Sequence, residues 1–413
     1  MTHAHLDFPP LSAIFNATFP LQLSSAAAPF RFGGLALVGG RIGGKDFIPS
    51  QPGTARLDAR GCVVLPGFID LHIHGSAGHD TMDATPKSLP AISAFLARHG
   101  VTAFTPTTMT APHPATLTAL KNVAAALTHP MPGAAILGVH LEGPYISPRF
   151  PGAQAKENIR AANLSEWDEL LAAGPIKLIT LAPEEPGAEP LIDAALTAGV
   201  RVIIGHSAAS YEQASAAFDR GISQATHSFN AMTGLHHRTP GVVGALLTDD
   251  RIFAQLIADT VHVHPAAMNV LARCKGAERL LLITDAIRAT GLPDGESELG
   301  GQPVFVRDGQ CRLADGTLAG SILTMDVALR HFLAATGWPL EKAWPVTSRT
   351  PALALGIADT YGTIAPGYRA DLVVLDAGLE VVATVVGGRV VYLRAGEEGR
   401  LGDKVPRLQS RAP

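Results

Sequence analysis

At 413 residues, with 47% hydrophobic and 16% charged side chains, the chain suits one large catalytic domain plus a smaller one and is not composed like a disordered polymer. A formal net charge of −4 sets up no basic field, which excludes nucleic acid as an expected partner and leaves any anion binding to local cations. The three scattered cysteines, Cys62, Cys274 and Cys311, have no paired spacing, so a disulfide framework or cysteine zinc site is not expected and a reducing cytoplasm is. The N-terminal MTHAHLDFPPLSAIF has no Lys or Arg and no apolar core closing on a cleavage signal, and no apolar run reaches bilayer length. Neither a signal peptide nor a membrane span is therefore expected. Residues 1–62 carry turn-rich strands, LALVGGRIGG among them.

From residue 63 strand and helix patterns alternate. The expected strands are Val63–His72, Val101–Pro106, Ala134–Leu141, Ile176–Ala182, Val200–Gly205, Gln224–His227, Phe253–Ala258 and Leu280–Thr284, most of them apolar runs suited to burial on both faces. Between them lie helical patterns such as SLPAISAFLARHG and SYEQASAAFDRG, several stopping at a glycine (Gly100, Gly174, Gly199, Gly221). Eight such units predict a (β/α)8 barrel over 63–361, with an open doubly wound sheet as the competing arrangement. The tail from 362 holds ADLVVLD and EVVATVVGGRVVYL, the latter a hairpin turning at Gly-Gly. Residues 1–62 and 362–413 are expected to join as one discontinuous β-sandwich.

Barrel chemistry belongs at the C-terminal ends of strands, where residues distant in sequence converge. Those ends carry His72 and His74, Glu142, His206, His227, His262 and Asp285. Alternate residues on a strand share a face, so both imidazoles of HIH can point into the mouth. Neutral imidazoles with one carboxylate form a normal divalent-metal shell, and a free coordination position makes such a shell catalytic. Asp285, after the apolar LLLIT, reads as a general base; His262 reads as the group polarising a carbonyl, with His264 as its rival.

PGFIDLHIHG, HLEGPYISP, GHSAAS, THSFNAM, HHRTPG, ITDA and GTLAGSILTM, in this order and spacing, closely resemble the N-acetylglucosamine-6-phosphate deacetylases of the amidohydrolase superfamily, from about Leu65 to Ala370. The resemblance implies a homodimer and a divalent metal, zinc first, with iron, manganese or cobalt as alternatives, held by Glu142, His206 and His227. With His72 and His74 both present, it also implies room for a second ion bridged through Glu142. Asp285 matches the catalytic aspartate and His262 the carbonyl-polarising histidine. Ala153, Gln154, Asn230, Ala231, Leu318, Ala319 and Gly320 match substrate-contact positions, and Arg238 matches an arginine that grips the phosphate, in relatives across the dimer. Relatives often carry histidine where this chain has Gln154 and glycine where it has Thr260, and IRATG follows Asp285 in place of a commoner stretch; the last two departures are expected near the sugar pocket. The implied reaction releases acetate from N-acetylglucosamine 6-phosphate. N-acetylgalactosamine 6-phosphate is the nearest alternative substrate. A cyclic-amide hydrolase is disfavoured, since no lysine ends the fourth strand to bridge two metals, and a scaffold that had lost its chemistry should have shed these ligands.

Overall fold

Between residues 68 and 283 eight short apolar runs pair as parallel strands: β1 (Phe68–Ile73), β2 (Val101–Pro106), β3 (Val139–Glu142), β4 (Ile176–Leu181), β5 (Arg201–Ile204), β6 (Gln224–Ala225), β7 (Phe253–Ile257) and β8 (Leu280–Ile283). The computed structural model describes residues 9–20, 30–45 and 54–402. Parallel ladders join β1 to β2, with two register shifts, and link each strand to the next from β3 to β8. Single parallel bridges, Thr107 to His140 and Ile73 to Ala286, join β2 to β3 and close β8 on β1. The sheet is thus a closed barrel and not an open doubly wound sheet. The closing seam is reinforced by the buried Asp70 carboxylate, which accepts from the Thr284 hydroxyl at 2.5 Å and from the Thr284 backbone N–H at 3.3 Å.

Helices α1 (Ser88–Arg98), α2 (His113–Ala126), α3 (Leu164–Ala173), α4 (Ala188–Thr197), α5 (Tyr211–Arg220), α6 (Gly241–Thr248), α7 (Pro265–Arg279) and α8 (Met325–Thr336) follow the strands in turn. Helix α1 buries Leu89, Ile92 and Leu96, one stripe at helical spacing laid on the barrel. Each such side chain contributes roughly 1.5–3 kcal/mol on burial. Helix α5 opens on a capping box between Ser210 and Gln213 and closes at Gly221, whose φ of 121° few other residues adopt. Gly174 ends α3 without a left-handed turn. Its φ is −166°, extended backbone, and a Cβ there would stand 2.7 Å from the Leu120 carbonyl oxygen.

The two ends of the described chain meet in one nine-stranded sheet with its own apolar core, a sheet domain built from both termini where a sandwich was expected. Gly387-Gly388 turns the hairpin between Val381–Val386 and Arg389–Leu393. The sequence run Val63–His72, however, is two strands. Val63–Pro66 pairs antiparallel with Leu372–Leu375 in the terminal sheet, and only Phe68–Ile73 enters the barrel. Gly67 is the switch: its N–H donates to the Asp371 carbonyl, and Thr102 packs where a Cβ would be. The run Ala134–Leu141 likewise breaks at Gly138 into Ala135–Ile136 and β3. Residues 1–8, 21–29, 46–53 and 403–413, on which parts of the expected terminal domain fall, lie outside the described residues.

One element has no counterpart in the expected pattern. Between β8 and α8 the chain forms a three-stranded antiparallel sheet, Gly295–Leu299, Gln302–Arg307 and Gln310–Leu313. It packs Leu299, Val304, Val306 and Cys311 over Met109, Ile287 and Ala319, a small apolar core that roofs the barrel mouth.

Candidate metal centre

Three strand ends deliver their side chains through unusual backbone. His206, His227 and Asp285, just beyond β5, β6 and β8, have φ of 48°, 29° and 51°. Left-handed backbone costs an L-residue roughly 1–2 kcal/mol, and strain of this kind gathers where geometry serves chemistry. Each kink turns its side chain from the barrel wall toward the axis. His72 and His74, two apart at the end of β1, share a face without such a kink.

The result is a buried cluster. Glu142 Oε1 lies 3.2 Å from His206 Nε2, 3.3 Å from His227 Nε2 and 3.4 Å from His72 Nε2, while its Oε2 lies 3.3 Å from His74 Nε2. Asp285 Oδ1 stands 3.3 Å from His72 Nε2 and 3.2 Å from His74 Nε2. The Nε2 atoms of His206 and His227 face each other at 3.1 Å. Four ring nitrogens and two carboxylates thus point at one another in a buried site, with no Lys or Arg in contact among the described residues. A divalent cation is the partner that such a donor set fits. Two overlapping triads satisfy ligand spacing, His72–His74–Glu142 and Glu142–His206–His227, and share Glu142.

Neighbours orient these side chains, as the residues of a metal site would need. His206 Nδ1–H donates to the Phe150 carbonyl at 3.0 Å, which leaves its Nε2 lone pair toward Glu142. Gln154 donates its amide to Glu142 Oε2 at 2.8 Å and accepts from the Thr110 N–H at 2.8 Å, so its orientation is fixed. Behind the cluster His140 donates from Nδ1 to the Leu71 carbonyl and accepts at Nε2 from Thr180. Burial, helped by the nearby His72 charge, holds the His140 imidazole well below its usual range, in its neutral form. Burial alone would raise the Glu142 carboxyl; the surrounding imidazoles, His72 foremost, reverse this and hold it well below the usual carboxylate range. Asp285 is pushed up by burial and pulled down further by His72 and His74. Both acids are therefore charged.

Above the cluster lies a cavity of about 380 Å³, lined by Ala153, Gln154, Asn230, Ala231, His262, Leu318 and Gly320 together with His74, Glu142, His206, His227 and Asp285 of the cluster. His262 is fixed by Asp259, whose carboxylate accepts from His262 Nδ1 at 2.6 Å and from the backbone N–H groups of Val261 and His262. His264 does not line the cavity. It caps α7, its Nδ1 accepting from the Ala266 N–H at 3.1 Å. Ala319 also turns away, into the apolar core of the roof. Arg238 stands apart: exposed, with Nη1 2.8 Å from His237 Nε2, it lines a neighbouring surface hollow with Thr233 and Tyr211. Thr260 is likewise outside the cavity lining, and its φ of 69° is a conformation natural to glycine. Arg288, in IRATG, pairs with Asp83 at 2.7 Å and is not a lining residue either. These two departures, expected near the sugar pocket, stand two residues before His262 and three after Asp285, both of which line the cavity.

Sequence reasoning passed over Met109, Gly152, Ile257, Leu299, Arg312 and Thr317, which also line the cavity. The signal for the roof strands was present in Gly300-Gly301 and Asp308-Gly309, two hairpin turns between β-rich runs. Asp259 could have been marked by its place three residues before His262.

The amidohydrolase family model matches residues 63–391. N-acetylgalactosamine-6-phosphate deacetylase of Escherichia coli O157:H7 is 44% identical over 330 residues, covering 79% of this chain and 87% of the relative. N-acetylglucosamine-6-phosphate deacetylase of Bacillus subtilis (strain 168) is 41% identical over 352 residues, covering 84% and 89%. Among solved structures, a Mycobacterium smegmatis N-acetyl-D-glucosamine-6-phosphate deacetylase variant in complex with N-acetyl-D-glucosamine-6-phosphate superposes with a TM-score of 0.84 at 34% identity, covering 93% of this chain and 99% of that one.

Proposed function

The chain belongs to the amidohydrolase family, in its N-acetylglucosamine-6-phosphate deacetylase branch, and from that premise we propose that it hydrolyses N-acetylglucosamine 6-phosphate to acetate and glucosamine 6-phosphate. The observation that carries this is the convergence of His72, His74, Glu142, His206 and His227 beside Asp285 on the floor of a cavity sized for a sugar phosphate. One or two divalent ions, zinc by preference for nitrogen and carboxylate donors, would be held by the two triads. A bound divalent ion supplies Lewis-acid polarisation of the amide carbonyl and lowers the pKa of water toward neutrality.

The chain's own groups divide the remaining work. Asp285, charged and at the cavity floor, takes a proton from the attacking water as its oxygen bonds to the acetyl carbon. His262, aimed by Asp259, donates a hydrogen bond to the carbonyl oxygen as negative charge develops there. When the carbon–nitrogen bond breaks, Asp285 returns its proton to the leaving amine. Asn230 and Ala231, beside His227, and Leu318 and Gly320, under the roof, enclose the sugar.

A homodimer is part of this proposal. Arg238 and the 60%-exposed Leu235 share a segment that faces away from its own cavity, as a residue serving a second copy would. Three free cysteines suit the cytoplasm, and among the described residues no helix is long and apolar enough to cross a membrane. Acetate release from the 6-phosphates of N-acetylglucosamine and N-acetylgalactosamine, measured on metal-loaded protein, tests the assignment. The 44% identity to a galactosamine-series enzyme makes the second sugar the necessary comparison. Release from neither would overturn the proposal.

A further inference from the structure

Among the described residues lining the cavity there is a single lysine or arginine, and it is Arg312. Resting on the deacetylase function proposed above, we infer that Arg312 is a substrate-binding residue that holds the phosphate from within the same chain. It sits on the last roof strand, Gln310–Leu313, where Cys311 turns into the roof's apolar core and Arg312 to the opposite face. The roof is anchored to the cavity wall by Gln302, whose amide donates to the Ala153 carbonyl at 2.8 Å. The arginine is therefore carried on a fixed element and not on a free loop.

Its guanidinium is also held in place. Nε and Nη2 donate to Gln310 Oε1 at 3.0 and 2.8 Å, and Nη1 donates to the Gly316 carbonyl at 2.6 Å. These use three of the five N–H groups and leave one on each terminal nitrogen, the pair that grips two oxygens of a phosphate. Both recorded partners are neutral, an amide and a carbonyl, so the positive charge is not spent on a carboxylate. The same cavity carries Glu142 and Asp285 at its floor. A sugar with an anionic end is thereby oriented, its phosphate toward the roof and away from the two acids. Arg238 cannot supply this charge to its own cavity, since it lines a separate hollow. Arg312 is present at every site whatever the state of assembly.

The test uses the full chain loaded with metal, as the parent and as Arg312→Met and Arg312→Lys. Kinetics on N-acetylglucosamine 6-phosphate are compared with those on unphosphorylated N-acetylglucosamine. For Arg312→Met we expect KM for the phosphorylated sugar to rise about 10- to 100-fold, with kcat little changed. On the unphosphorylated sugar kcat/KM should stay within about twofold, and lysine should restore part of the loss. Equal losses on both sugars would show that Arg312 merely braces the roof and would overturn the inference, as would no loss on either. Glucosamine 6-phosphate binding, read as a shift in thermal midpoint, separates this from the function itself. A parent that binds the phosphate through Arg312 yet releases no acetate sinks the deacetylase assignment alone. A parent whose midpoint is shifted as much in Arg312→Met sinks the arginine alone.

Discussion

Replacing Asp285 by asparagine isolates proton transfer from everything else this residue does. The backbone at Asp285 has φ 51°, a conformation that asparagine tolerates as well as aspartate. Its N–H donates to the His72 carbonyl and its carbonyl accepts from the Ser321 N–H, both at 2.8 Å, and neither bond involves the side chain. Asparagine also keeps an oxygen beside His72 and His74. Asp285 belongs to neither ligand triad, so metal content should hold at the parent's value. What disappears is a basic oxygen that can accept and return a proton. One positioned acid or base contributes about 10²–10⁴-fold, and here the same group serves both the attack and the departure. We expect kcat to fall by about 10³–10⁴-fold, roughly 4–5.5 kcal/mol of barrier, with KM and thermal midpoint nearly unchanged. The assay is acetate release under saturating substrate, with metal measured by plasma emission on the same sample. Turnover within about tenfold of the parent, at equal metal content, would remove Asp285 from the proton path.

Glu142→Gln should strip both triads at once, because they share this carboxylate; metal per chain, measured after dialysis, should approach zero. Asp259→Asn should lower kcat about 10²-fold while sparing metal content, since the hydrogen bond that aims His262 is lost and misplacement by an ångström has that effect. Gly67→Ala should destabilise the fold by about 1–3 kcal/mol, because the new Cβ would sit 2.1 Å from Thr102 Cγ2; a lower thermal midpoint with unchanged kcat is the expected pair of readings. Burial lowers the Lys275 ammonium to about 8 from its ordinary 10.5. The unfolded chain then binds more protons between those values, so this group's penalty is full below pH 8 and fades as pH rises to 10.5. The thermal midpoint of Lys275→Met relative to the parent should therefore decline across that window, and a flat difference would contradict it.

The barrel was legible because β-branched and leucine runs buried on both faces leave a continuous apolar signature, as in β4, β5 and β8. The clustered side chains were legible because barrel chemistry sits at strand ends, and HIH, LEGP, GHS, THS and TDA each mark one. Boundaries were harder. VVLPGFIDLHI is predominantly apolar on both sides of Gly67, so nothing local tells that the chain leaves one sheet for another there; the reason is the distant Leu372–Leu375 edge and the Thr102 side chain. The roof was missed despite its turn residues because its strands have one exposed face, with Phe305 outward between buried Val304 and Val306. The orienting bonds of Gln154 and Asp259 depend on side-chain geometry that spacing does not encode. Arg238 pointing away from its own cavity is a fact of three dimensions alone.

The pairing of Val63–Pro66 with Leu372–Leu375 has a consequence for biosynthesis. A ribosome delivers the first of these strands long before the second, so for most of translation the early strand presents an unsatisfied apolar edge. The core it belongs to, with Leu35, Leu57 and Val64 on one side and Leu372, Val374 and Val385 on the other, closes only when the last segments emerge. Nascent chains stalled before residue 372 would hold a finished set of barrel strands beside a sticky, half-built flank, the kind of edge that recruits chaperones or other copies of itself.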